Sequence, residues 1–498
     1  MMSKQVKYLF YFIISCAIVL GSQLLLKDLP NQIPDIKRLL VSILALLIFW
    51  LLFYIFSKKN VVNIGILIIL VFGIAACLIK PVQIGLDEDA HLKRTLELTT
   101  SGVVKKEEYK LAEYDKIFEF DFFRNRDVFF SNHSFFEAKH ETNEAKGKSL
   151  FINNIAYLPS AIGWKIGEII SSRIFISYYL GRIFNVIAFA ILVYLSMKIC
   201  SKIKNIIFLF SAFPPFIYTV AGYHYDSIYF GLSLIIFSLV CKYFYSDDKV
   251  SLTDVSIFLL SSCLMAFVKI PYILLGLLVL FIPKKRLRGA KDRLIIYFGF
   301  LIQFTFSILY YLNFNSGIAQ SDLSTPSIFY FVKHPLPIIR TILDLPDVIE
   351  FNLRYTQIFA KTYSTTAMMM SEICFVLCFL IVSNRFKNTF NNKFRILFSI
   401  FSLMIIGATV YAITTDPRVY QMGMTYIPGV QGRYFYFILL FLPMYTSNFT
   451  KKLFNFDVND EATYELAADS FEQRFIVNSF ILLNILNLGI SMYTMIPY

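Results

Sequence analysis

Long apolar runs alternate with short polar breaks along almost the whole chain. A helix needs about 20 apolar residues to cross a hydrocarbon layer of about 30 Å, and fewer where neighbours cover its ends. Runs that meet or approach this length fall at roughly 8–26, 39–57, 61–80, 174–197, 205–221, 228–245, 253–268, 271–283, 294–312, 366–383, 396–414, 434–449 and 475–495. The pattern predicts an all-α polytopic membrane protein with about 13 transmembrane helices. The 271–283 run is short and opens at Pro271, so a broken or tilted helix is expected there. The first run follows a short basic leader, as in a signal peptide, but carries no small-residue cleavage site and reads as a retained helix.

Two breaks are far longer than the others, 81–172 and 313–365, and unstructured loops beyond about 12–15 residues usually have a function. Apolar patches inside them predict helices lying on the outer leaflet. One patch holds Ile117, Phe118, Phe120, Phe122 and Phe123, a second runs from Ile155 to Ile170, and a third includes Phe331, Pro335, Ile338, Ile339, Ile342 and Leu343. The chain divides accordingly. A two-helix N-terminal extension spans 1–60 and a transmembrane core with both long loops spans 61–449. A cytoplasmic segment with the last helix takes 450–498.

Composition removes the main alternatives. The 498 residues are 57% hydrophobic and only 16% charged, too few polar side chains to coat a soluble fold of this size. A soluble enzyme, a secreted disulfide scaffold and a disordered regulator are excluded. The formal net charge of +13 belongs to membrane topology rather than to nucleic-acid binding. With the N-terminus inside, the inner segments carry 22 Lys and Arg, and the short outer loops carry 6. The seven cysteines all lie in or beside apolar runs, without metal-ligand spacing. All five histidines, His91, His133, His140, His224 and His334, fall on the outer side, so any chemistry is expected to face outward.

The densest polar cluster, Asp87-Glu88-Asp89-Ala90-His91, opens the first long loop. A helix starting near Asp87 puts Asp87 and His91 on one face, where a carboxylate can accept a hydroxyl proton beside an imidazole. Asp87 and Asp89 also have a spacing that admits a divalent cation, the only cofactor the sequence suggests. An acidic first helical turn with no chemistry explains the same residues. Arg182 lies within an apolar span and needs a partner, either a substrate phosphate or a structural carboxylate. Lys269, beside Pro271 and Tyr272, ends a span and either binds an anion or snorkels. His224 and Asp226 orient a sugar or base, or Asp226 caps a helix. The last outer loop, Pro428-Gly-Val-Gln-Gly-Arg-Tyr434, offers Gln431 and Arg433 beside two glycines that permit close backbone approach. Arginine among aromatics suits a phosphate with a sugar ring, or the lipid headgroup belt. No nucleotide-binding loop and no hydrolase or metalloprotease motif is present.

Taken together and in order, these pieces resemble the DUF2142 family of bacterial membrane proteins. The resemblance rests on Asp87-Glu88-x-x-His91, Ile155-Ala-Tyr-Leu-Pro159 followed by Gly181-Arg182, Tyr225-Asp226-Ser227, and Lys269-x-Pro271-Tyr272. Pro428-Gly-Val-Gln-Gly-Arg-Tyr434 is its most specific part, and the match runs from about Lys80 to Met444. That family is similar to GT-C glycosyltransferases, which move a sugar from a polyprenyl-phosphate carrier on the outer face, usually with inversion. The resemblance implies Asp87 as catalytic base with Glu88 and His91 beside it. It implies Arg433 as the donor-phosphate ligand, assisted by Lys269, with Tyr272, Gln431, His224, Asp226 and Arg182 as further donor-site residues. The implied partners are a polyprenyl-phosphate-linked sugar, a cell-envelope glycan acceptor and membrane lipids, with no nucleic acid. Two departures stand out: Leu86 replaces the proline common before the Asp-Glu pair, and Ala360 to Ala367 lacks the usual Gly/Trp-rich stretch. A lipid-linked sugar flippase or transporter and an envelope polysaccharide polymerase or ligase are the alternative functions.

Overall fold

The computed structural model describes residues 4–25, 36–56, 60–80, 82–83, 85, 87–101, 109–119, 134–145, 155–246, 248–314, 326–354, 365–386, 390–416, 419–453 and 471–494. Leu86, Phe120, Phe122, Phe123, His133, Arg418, the stretch 360–364 and most of the polar segment before the last helix lie outside these residues.

Apart from a two-residue antiparallel ribbon pairing Tyr109–Lys110 with Glu144–Ala145, the described structure is helical. Among the described residues, seven helices are long and apolar enough to cross a membrane: Gln5–Ser22, Val61–Ile79, Ile174–Ile199, Asp226–Tyr245, Ala290–Leu312, Asn392–Ile413 and Phe471–Ser491. An eighth crossing exists if Ser201–Ser211 and Pro214–Val220, bent by 74°, count as one span. The bend follows from Pro214 and Pro215, which cannot donate the backbone hydrogen bonds that would carry the helix through. The other five expected runs are helical as well: Ile36–Phe56 and Thr365–Arg385 are 21 residues long, whereas Leu252–Val268, Ile270–Phe281 and Gly432–Phe441 are shorter. One of them, Ile270–Phe281, is wound as a 3₁₀ helix after an extended Lys269, as the proline at its start led one to expect.

Polar side chains start several helices by accepting otherwise orphaned N–H groups. Asn60 accepts from Val62 N, Ser251 from Asp254 N and Asn391 from Phe394 N. Between the helices lies one large core, dense in aromatic rings such as Phe210, Phe213, Phe216, Phe230 and Tyr436. The terminal segments pack as one unit. The first helix lies against the last, with Ser22 touching Gly489, and Trp50 Nε1 donates to Ser15 Oγ at 2.9 Å.

The long loops carry cores of their own. Val82, Leu92, Leu96, Ile117, Phe135, Trp164, Tyr178 and Tyr223 form one such cluster. Ile117, expected at the lipid surface, is instead fully buried there, because the loop helices satisfy their apolar faces against one another. The helix Leu158–Ile170 folds back along Ile174–Ile199. A side chain at Gly163 would meet the Leu180 carbonyl at 2.4 Å, and one at Gly167 would meet Ser177 Cα at 2.3 Å. Such small-residue spacing lets two helix backbones touch. The second loop packs Phe331 and Leu345 against Val410, Tyr420, Ile427 and Phe435, and so sits over the Arg433 turn.

Candidate active site at converging helix ends

Where Val61–Ile79, Leu252–Val268 and the bent pair end, and Asp226–Tyr245 begins, charged and aromatic side chains meet below the first long loop. The turn into that loop is held in an uncommon backbone shape. Gln83 and Asp87 have φ of 57° and 56°, the two non-glycine positive values among the described residues. Asp87 therefore stands before the helix Glu88–Ser101 rather than in it, and its carbonyl accepts from His91 N at 3.1 Å. This splits the acidic cluster. The Asp87 side chain is 61% exposed, whereas that of Glu88 is 1% exposed.

Glu88 is consumed by Arg182. The guanidinium donates through Nε to Glu88 Oε1 and through Nη2 to Oε2, both at 2.8 Å. Its remaining donors reach the Cys77 and Lys80 carbonyls and Tyr178 Oη, and Tyr223 N donates to Glu88 Oε1 at 3.0 Å. Arg182 is fully buried. Of the two explanations for its charge, the structure displays the carboxylate-paired one. Glu88 and Arg182 form a structural clasp behind the site, with their hydrogen-bonding atoms occupied: Glu88 turns to Arg182 rather than to Asp87, beside which the resemblance puts it, and Arg182 turns to Glu88 rather than to a donor phosphate.

Arg433 is held differently. It lies in the 3₁₀ turn Gly432–Phe435, donates through Nη1 to Asp226 Oδ2 at 3.1 Å, and meets His224 Nε2 in a short contact. Its Nη2 lies 3.5 Å from Asp87 Oδ2. A guanidinium only donates, so His224 presents a lone pair at Nε2, and its Nδ1 lies 3.0 Å from the Asp226 backbone N and 3.2 Å from Asp226 Oδ1. Asp226 thus anchors Arg433 and His224. It is the first residue of its helix and makes no cap hydrogen bond, so the capping role considered for it is not what the fold uses. Lys269 Nζ sits 2.8 Å from the centre of the Tyr434 ring. Tyr272 stacks on Tyr229, and both hydroxyls donate to the Tyr434 carbonyl, at 2.8 and 2.7 Å, fixing the turn from below. Gly432 serves packing rather than ligand approach: a side chain there would lie 2.6 Å from Ile349 Cα and the Val348 carbonyl.

His91 completes the cluster. Its ring lies 3.9 Å from that of His224, and Nδ1 is 2.6 Å from Tyr157 Oη. Burial, and then the charges of neighbouring groups including Arg433, hold both imidazoles well below their ordinary range, so both are neutral at pH 7. Several buried polar atoms here lack any partner: Arg433 Nε, His91 Nε2, Gln431 Oε1 and both amide atoms of Gln83. A crevice beside them is lined by Lys80, Gly85, Glu88, Thr219, Gly222, Tyr223, His224 and Arg433.

A family model described as "Predicted membrane protein (DUF2142)" matches residues 70–442. The chain belongs to the DUF2142 family. No curated protein and no solved structure matches it. The family span contains every residue of the cluster and stops short of the terminal helices that pack together. Within this DUF2142 protein the structure gathers Asp87, His91, His224, Asp226, Lys269 and Arg433 at one place. It sets Glu88 and Arg182 behind them and Tyr272 beneath. No third His, Cys, Asp or Glu converges with Asp87 and Asp89 at ligand distance among the described residues, so that spacing builds no metal site of three such ligands. Tyr157 and Gln83 are the participants that residue-by-residue reading passed over. Tyr157 lay inside the Ile155–Pro159 motif, and Gln83 was a polar residue between apolar neighbours at a span end.

Proposed function

We propose that this protein is a membrane glycosyltransferase that moves a sugar from a polyprenyl-phosphate carrier to a cell-wall or surface polysaccharide. The reaction takes place on the extracytoplasmic face of a bacterial cell membrane. The fold in this reading is GT-C-like, with about 13 membrane helices counting the short and bent ones, and a cytoplasmic N-terminus. The observation that carries it is the convergence of Asp87, His91, His224, Asp226 and Lys269 on Arg433, with Arg433 Nε and His91 Nε2 buried there without a partner. Native proteins leave few such groups, and each costs about 1–3 kcal/mol unless a ligand satisfies it.

The donor phosphate accepts from Arg433, whose unused Nε and exposed-side Nη2 supply a two-pronged contact, with Lys269 as a second cation. Phosphate binding frees Asp87 from Arg433 and leaves it beside the anomeric carbon. The Asp87 carboxylate takes the proton of the acceptor hydroxyl as that oxygen bonds to the anomeric carbon. The bond from this carbon to the phosphate oxygen breaks, and polyprenyl phosphate leaves with the electron pair. His91, neutral and with Nε2 unpartnered, positions the sugar or phosphate by a hydrogen bond without adding charge, while His224, also neutral, braces Arg433. The apolar grooves between spans accept the prenyl chain.

Arg433→Lys keeps the charge but loses the forked geometry. In a transfer assay with purified protein and polyprenyl-phosphate-sugar it should raise the donor KM at least tenfold, and Arg433→Ala should do worse. Parental KM in both variants would make Arg433 a structural or headgroup anchor and remove the donor site from this cluster.

A further inference from the structure

Away from the Arg433 cluster, three side chains from separate parts of the first long loop converge. They are Glu113 on the helix Ala112–Glu119, His140 on the extended stretch before the ribbon strand Glu144–Ala145, and Glu168 on the helix Leu158–Ile170. One ligand-capable atom from each lies within 4.8 Å of those of the other two. We propose that Glu113, His140 and Glu168 form a divalent-metal site that ties these separate parts of the long loop together. One imidazole nitrogen with two carboxylates suits a first-row ion such as Zn²⁺ or Mn²⁺ better than Ca²⁺, which favours all-oxygen sites.

Charge is the first argument. The Glu113 side chain is 2% exposed, yet among the described residues its side-chain partners are His140 Nδ1, at 2.5 Å, and Asn143 Nδ2, at 2.6 Å, neither a permanent cation. A buried carboxylate is costly without a compensating charge, and a divalent ion supplies it.

The second argument is support from behind. Glu113 Oε2 accepts from Asn143, His140 Nε2 is 3.0 Å from Ser177 Oγ, and Glu168 Oε1 accepts from Trp164 Nε1 at 3.0 Å. Metal ligands are oriented by such outer partners. The backbone is fixed as well. His140 N donates to the Ser172 carbonyl and Ile174 N to that of Ala138, at 3.0 and 2.9 Å. Among the described residues one cation competes for the centre: Lys165 Nζ, 2.6 Å from Glu168 Oε2 on a half-exposed side chain that is free to swing away.

The test is Zn²⁺ binding to the purified, tag-free, chelator-stripped full chain in detergent, by calorimetry and by thermal unfolding with and without the ion. One equivalent should bind and raise the unfolding midpoint. Glu168→Gln, at a partly exposed position where folding should persist, should weaken binding by more than the roughly 10–100-fold typical of outer-shell changes. Lys165→Ala should tighten it several-fold by removing the competitor, an effect with no counterpart if the three residues are only hydrogen-bonded. No bound Zn²⁺, equal affinity in Glu168→Gln, or no tightening in Lys165→Ala would overturn the proposal. Tighter Ca²⁺ than Zn²⁺ binding would overturn its metal class. The readout is independent of sugar transfer, so it stands or falls apart from the proposed activity.

Discussion

The Glu88–Arg182 clasp gives the sharpest structural prediction, because it separates a scaffold role from the catalytic one that the acidic cluster invites. Glu88 accepts three hydrogen bonds, two from Arg182 and one from Tyr223 N, and both charged side chains are out of water. Removing one member of such a pair leaves an uncompensated buried charge and costs about 3–5 kcal/mol. Glu88→Gln keeps one acceptor but turns an NH2 toward a guanidinium that also donates, so the expected loss stays near the lower end, about 3 kcal/mol. Replacing both partners, Glu88→Leu with Arg182→Met, removes both charges. It should recover most of that loss, since apolar replacements of buried pairs are often neutral. Denaturant unfolding in detergent, run as a double-mutant cycle, reads the coupling directly. Transfer per folded molecule should fall far less in Glu88→Gln than in a variant of the base. A Glu88→Gln protein of parental stability that has lost all turnover would refute the assignment and return Glu88 to the chemistry.

Three further outcomes follow from the same geometry. His91 and His224 are held below the imidazole range of the unfolded chain, so the stability they confer is complete above about pH 6.5 and declines as the pH falls below it. Each should contribute a loss of about 1.4 kcal/mol per pH unit, and His91→Asn should flatten that slope between pH 6.5 and 5. Gly163→Ala would drive a methyl group into the Leu180 carbonyl, so the helix Leu158–Ile170 must shift; a loss of about 1–3 kcal/mol is expected by the same unfolding assay. A cysteine placed at Lys105 should react with an impermeant thiol reagent on intact cells; labelling only after lysis would reverse the topology and move the site to the cytoplasm.

Much of the architecture was legible because lipid imposes one rule, that backbone polar groups be satisfied within the helix. Every apolar run is helical, and Pro214 and Pro271 mark the breaks. Run length was a poorer guide to crossing, since a 74° bend hides within a continuous run. At the site, Arg433, Lys269, Asp226 and Arg182 stood out as polar residues in apolar surroundings. Their partners did not, because contacts 94 and 209 positions apart leave no local trace. Glu88 and Asp87 look equivalent in sequence. Only the left-handed backbone at Asp87 sends one side chain inward to Arg182 and the other outward to Arg433. Ile117 shows the same limit: an amphipathic pattern says that one face is covered, not whether lipid or protein covers it.

The central claim is that Asp87 acts as a general base on a sugar held by its phosphate at Arg433, and Asp87→Asn tests it most directly. The substitution keeps size and hydrogen bonding at an exposed side chain, so expression and donor binding should match the parent. With purified protein, polyprenyl-phosphate-sugar and cell-wall polysaccharide, turnover should fall by about 10²–10⁴-fold, the usual contribution of a positioned base. Asp89→Asn, in the first turn of the following helix, should leave turnover within about twofold, as expected of a charge worth at most about 1 kcal/mol to that helix. Sugar transfer by Asp87→Asn at the parental rate would contradict the account and leave Asp87 as a partner of Arg433 alone.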